Sequence, residues 1–114
     1  MAPLGKKEVV MDGLLSNEFT DSNVATILDR ERTIIIIKNT NLSGTNYSLS
    51  YSIMVTPDLE ESSVDWITLA SSVVIVAGGV VKHGITDPWD GIKLQAMNTT
   101  GGEEAQIKAY INRK

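Results

Sequence analysis

The stretch Tyr47-Ser48-Leu49-Ser50-Tyr51-Ser52-Ile53-Met54-Val55 alternates large apolar residues with small or intervening ones. Successive side chains of a strand point to opposite faces, so Tyr47, Leu49, Tyr51, Ile53 and Val55 share one face and the serines the other. A helix would scatter the same residues around its axis, so the pattern requires a sheet with one face against a core. The wider composition agrees: isoleucine, valine and threonine supply more than a quarter of the chain. Such β-branched residues lose rotamer freedom in a helix and pack well on a pleated surface.

Other segments extend the pattern. Ile34-Ile35-Ile36-Ile37 is apolar at consecutive positions, which predicts burial on both sides, or on one side with a partner subunit on the other. Arg32 and Lys38 bracket it as charged gatekeepers. The turn formers from Asn39 to Asn46 predict that this strand and the Tyr47–Val55 strand form a hairpin with a long tip. Trp66-Ile67-Thr68-Leu69 and Val73-Val74-Ile75-Val76 follow, with Gly78-Gly79 marking a turn or bulge before Val80-Val81. Ile92, Leu94 and Ala96 alternate with Lys93, Gln95 and Met97. Ile107, Ala109 and Ile111 alternate with Gln106, Lys108 and Tyr110, and the glycines at 101 and 102 predict that these two strands are antiparallel neighbours. The first thirty residues are less regular, and Val24 to Leu28 suits either a strand or a short helix. The expectation is an all-β chain forming a single antiparallel β-sandwich, Ig-like or jelly-roll-like, with about seven or eight short strands. At 114 residues one domain, 1-114, accounts for the whole length.

Composition narrows the chemistry. With no cysteine, a disulfide framework, a thiolate metal cluster and a cysteine nucleophile are all impossible. A formal charge of -4 and a pI near 4.8 offer no basic field for nucleic acid, and the terminal clusters Lys6-Lys7 and Asn112-Arg113-Lys114 lack interleaved aromatics. His83 is the single histidine, and no Gly-x-Ser-x-Gly elbow presents a nucleophile to it. The carboxylate pairs Glu60-Glu61, Asp87 with Asp90, and Glu103-Glu104 fall in loops. A glycosidase would need aromatics to wall its cleft, and two Trp, three Tyr and one Phe leave few beyond the core. Calcium at Asp58-Leu59-Glu60-Glu61 or Asp87-Pro88-Trp89-Asp90 stays open, although neither loop has EF-hand spacing. No cofactor, catalytic residue or metal ligand set is indicated, and a non-enzymatic protein is expected.

No apolar signal region follows Lys6-Lys7, and Trp66 to Val81 is too short and too interrupted to span a bilayer, so neither a cleaved signal nor membrane insertion is expected. Trp66 and Trp89 each follow a polar turn at the start of an apolar segment. Each either plugs one end of the core or contributes to a ligand platform. Met97 and Tyr110 sit on strand faces otherwise marked by lysine and glutamine, which makes them candidate partner-interface residues. The first seventeen residues place Leu4, Val9, Val10, Met11, Leu14 and Leu15 in a stretch without clean alternation. They read as an arm at 1-17 ordered by a neighbouring subunit or shell, or as an intramolecular first strand.

The series Ile34-Ile35-Ile36-Ile37-Lys38-Asn39-Thr40, Trp66-Ile67-Thr68-Leu69, Thr86-Asp87-Pro88-Trp89-Asp90-Gly91-Ile92-Lys93-Leu94-Gln95 and Ala109-Tyr110-Ile111-Asn112 resembles small β-sandwich virion structural proteins of tailed phages, of the head-decoration or auxiliary capsid type. The likeness covers about two thirds of the chain and consists of strand and turn signatures; residues 1 to 30 lie outside it. It implies a passive role in the virion, after synthesis in the host cytoplasm: a homo-oligomer, trimer or ring, bound to a major shell or capsid protein and stabilising it. No catalytic residue transfers. The alternative is a carbohydrate- or cell-surface-binding β-sandwich module, which would use Trp66, Trp89 and the Asn39–Asn46 loop.

Overall fold

The computed structural model describes residues 6–27, 33–42, 44–45, 47–60, 63–86, 89–99 and 105–113. Nine strands follow one another: β1 (Lys6–Leu14), β2 (Thr20–Asp21), β3 (Ala25–Thr26), β4 (Thr33–Asn39), β5 (Leu49–Thr56), β6 (Ile67–Ile75), β7 (Val80–Ile85), β8 (Gly91–Asn98) and β9 (Gln106–Arg113). All pairings are antiparallel. Sheet A has the order β1-β9-β4-β7; sheet B has β2-β8-β5-β6, with β3 also on β8. Since β2 and β3 pair with successive parts of β8, they act as one interrupted edge strand. Eight strand positions in two four-stranded antiparallel sheets, with consecutive strands changing sheet everywhere except between β5 and β6, make a jelly roll.

The alternation seen in the sequence becomes the core. From sheet A, Ile35, Ile37, Ile107, Ala109 and Ile111 face inward; from sheet B, Leu49, Tyr51, Ile53, Val55, Ile92, Leu94 and Ala96 meet them, all essentially inaccessible. The Ile34–Ile37 run is not fully buried on both sides within the chain, the first of its two expected arrangements. Thr33, Ile35 and Ile37 are buried, whereas Ile34 and Ile36 are half-buried on the outer face. In β5 the difference is reversed. Ser50 and Ser52, expected on an open face, are buried too, because β5 is flanked by β8 and β6 and its short serines sit beside the longer Met97 and Gln95.

Two expected hairpins do not form. β4 pairs with β7 and β9, while β5 pairs with β6 and β8, so the Asn39–Asn46 loop crosses between sheets. In the same way β8 and β9 belong to opposite sheets. Asn39 anchors the first crossing: its buried Nδ2 donates to the carbonyls of Tyr47 (2.7 Å) and Ile75 (3.1 Å), and its Oδ1 accepts from the Asn41 N–H. Its backbone meets the β6–β7 turn, with Asn39 N–H on Gly79 O and Gly78 N–H on Asn39 O. Gly78 holds φ at 80° there, a left-handed conformation that glycine adopts without penalty.

Residues 6–14, one half of the arm-or-strand alternative, form β1 along β9 within the chain, with a bulge between Val9 and Met11. Leu4 lies outside the described residues.

Candidate functional site

Three side-chain groupings stand out from the core. The first lies inside the sandwich. His83 pairs with Ile35 and so faces inward, where its Nε2 and the Tyr51 hydroxyl are hydrogen-bonded at 2.5 Å. The rings meet edge to face at 5.7 Å. Tyr51 is fully buried, and that burial pushes its phenol above the ordinary tyrosine range. The pair bridges the two sheets. Among the described residues no group of three or more His, Asp or Glu is placed to hold a metal. In the loops, the Asp90 carboxylate accepts the Leu59 N–H at 2.7 Å and Asp58 accepts the Glu60 N–H at 2.9 Å. These two carboxylates organise the backbone around them. Glu61, Asp87, Glu103 and Glu104 lie outside the described residues.

The second grouping is the outer face of sheet A. Strand alternation and register place Lys7, Lys38, Lys82 and Lys108 there around Tyr110. Lys7 Nζ lies 4.3 Å and Lys38 Nζ 5.4 Å from the Tyr110 ring centroid, within cation–π range. A hydrogen bond from Lys38, followed by the charges of Lys38, Lys7 and Lys108, holds the Tyr110 phenol below its ordinary range. Met97 lies on the outer face of sheet B, opposite Ser50. The two residues singled out together from the sequence therefore sit on opposite faces of the molecule.

On the same face of sheet B as Met97, Lys93 salt-bridges Asp21 at 3.1 Å and lies 4.6 Å from the Trp66 ring centroid. Gln95 donates to the other Asp21 oxygen at 2.8 Å. That bond, together with Lys93, lowers the Asp21 carboxyl below its usual range against the opposing effect of burial. Trp89 packs against the core instead. The two indoles thus do different things: one carries a lysine on its face, the other fills the end of the sandwich.

The third grouping is apolar. Each sheet has two free edges, and the sandwich has two open sides: β1 with β2 and β3, and β6 with β7. Of the ten large hydrophobic residues exposed among the described residues, Ile67, Leu69, Val74, Val76 and Val80 lie on β6, β7 and the turn between them, and Val9, Leu14, Phe19 and Val24 lie on or beside β1, β2 and β3. Leu42 is the remaining one. Val10 and Leu15, grouped with Val9, Met11 and Leu14 as interface candidates from the sequence, are instead buried core residues; Val10 follows the strand's inward alternation, and the bulge sets Met11 opposite the inward-facing Ala109 as well. Met11 is half-buried against the same core. A signal for the β6 side was present in the sequence: from Ile67 to Val81 there is no charged residue.

No protein-family model matches the chain, and no curated protein matches it. Among solved structures it is similar to a chain from Bacillus endospore appendages, described as a family of disulfide-linked pili. The identity is 11% and the TM-score 0.53, covering 96% of this chain and 85% of that one. A chain of infectious bursal disease virus aligns over 96% of this chain and 32% of its own length, at 12% identity and a TM-score of 0.43. At these identities the first likeness is one of fold. Among the described residues no helix is long and apolar enough to cross a membrane.

Proposed function

We propose that this chain is a non-enzymatic structural subunit that assembles with copies of itself and stabilises a larger protein shell, as a decoration or auxiliary capsid protein of a virion. The observation that carries the reading is the apolar exposure of both open sides. Edge strands in soluble monomers are normally blunted by charge, proline or shortness, yet β6 spans nine residues with no charged residue among them. Exposed apolar surface concentrated on particular elements marks contact surfaces rather than chance. The similarity to an appendage subunit supports a fold suited to assembly.

His83 enters as part of the reading that no catalysis occurs, since its imidazole is engaged by the core residue Tyr51. The carbohydrate-binding alternative has less support, because Trp66 and Trp89 do not present a shared aromatic platform.

Sedimentation velocity over a range of concentrations tests the self-assembly. Concentration-dependent growth to defined oligomers is expected. A monomer at every concentration would overturn this reading.

A further inference from the structure

We infer that successive copies join side to side in one direction, with the β6–β7 side of one copy seated on the β1–β2 side of the next. This rests on the assembly reading and specifies its contact. Four observations converge on the occupant being a second copy.

The first is shape. The β1–β2 side carries a groove of about 300 Å³, walled by Met11 to Leu15 on one flank and Thr20 to Asn23 on the other, with Ile107 also lining it. The backbone bond from Asn23 N–H to Val10 O bridges the two flanks. The second is hydrophobicity. Leu14 is exposed on the outer face of sheet A at β1 and Val80 on the same face at β7, while Val74 is exposed on the outer face of sheet B at β6, so a copy joined edge to edge sets the exposed apolar residues of one edge strand beside those of the next.

The third is charge. Asp12 and Asp21 line the groove, and Lys82 is the single formal charge between Trp66 and Thr86. Asp21 is already paired with Lys93, so the complement to Lys82 is Asp12: both stand on the outer face of sheet A, at its opposite edges, and pairing the unlike sides brings these opposite signs together on one face. The fourth is strand polarity. Each sheet is antiparallel and four positions wide, so a copy translated sideways sets β7 antiparallel to the next copy's β1, and β6 antiparallel to its β2. Both layers continue at once. A head-to-tail contact of this kind gives a ring if its rotation closes and a filament if it does not.

Complementary blocking tests the assignment. Val74→Lys with Val80→Lys charges one side; Leu14→Lys with Phe19→Lys charges the other. All four positions are exposed, and circular dichroism and thermal melts verify that both variants fold; Val76→Lys and Val24→Lys serve as replacements where one does not. Each variant alone is expected to sediment as a monomer under conditions in which the wild-type chain assembles. Their equimolar mixture is expected to yield a heterodimer with one copy of each, because one intact side remains on each partner. If only one variant loses assembly, the contact joins like sides about a two-fold axis and the inference is wrong. If both assemble like the wild type, or if the mixture stays monomeric, the inference also falls while the assembly reading stands. A wild-type chain that never associates removes both.

Discussion

Asn39 shows how much one polar side chain does in this fold. Two buried amide bonds tie the end of a sheet A strand to backbone carbonyls on the sheet B side. Asn39→Ala strips both acceptors of their donor and is expected to cost about 2–4 kcal/mol of unfolding free energy, read as a lower denaturant midpoint at unchanged slope. The tyrosines supply a pH prediction. Tyr110 has a lowered folded-state pKa, led by its bond from Lys38. Its stabilising contribution is therefore present above the unfolded value and disappears as pH falls through the folded one. Tyr51 has a raised pKa from burial; its contribution is complete below the unfolded value and is lost as pH rises through the folded one. Ultraviolet titration should show one tyrosine ionising before the ordinary range and one after it, and Tyr110→Phe should remove the early phase alone. That order was hidden in the sequence, where both residues simply occupy alternating strands.

At the scale of the element, β6 is the strand whose irregularity is most exposed to test. Its register on β5 shifts on either side of Ile53, and Ser72 sits at φ 52°, a left-handed conformation costly for a residue with a Cβ. The Ser72 N–H is satisfied by the Ser52 Oγ at 3.0 Å. Ser52→Ala should cost about 1 kcal/mol by removing that acceptor. Ser72→Gly should be neutral or stabilising by up to about 1 kcal/mol, since glycine enters this conformation freely. Chemical denaturation of the two variants, run side by side, measures both; a Ser72→Gly loss larger than that of Ser52→Ala would mean that the bulge is not strained.

Across the whole molecule, β5–β6 is the single pairing between consecutive strands. β1 must find β9, and β4 must find both β7 and β9, before sheet A is complete, and β8 must find both β2 and β5 before sheet B is. Loop-closure entropy must be overcome before such contacts stabilise anything, so folding is expected in the millisecond-to-second range typical of non-local β topologies. Stopped-flow refolding followed by tryptophan emission measures this. Microsecond folding would contradict the topology.

Period-two alternation by itself determined that β5, β8 and β9 are strands and which of their apolar residues face inward: Tyr51 with Ile53, Ile92 with Leu94, and Ile107 with Ile111 were all legible. The absence of cysteine and the lone histidine likewise restricted the available chemistry before any fold was known. Partner choice was not legible. The ladder is built from backbone N–H and C=O groups that every residue other than proline carries, so alternation specifies a face but not the strand beside it. Tertiary structure decided that β4 and β5, though adjacent in sequence, lie in opposite sheets while β5 and β6 share one, because covering both layers' apolar faces with one core constrains the set of strands in each layer and not the order in which the chain visits them. The same closure left β6 and β7 at one open side and β1 and β2 at the other.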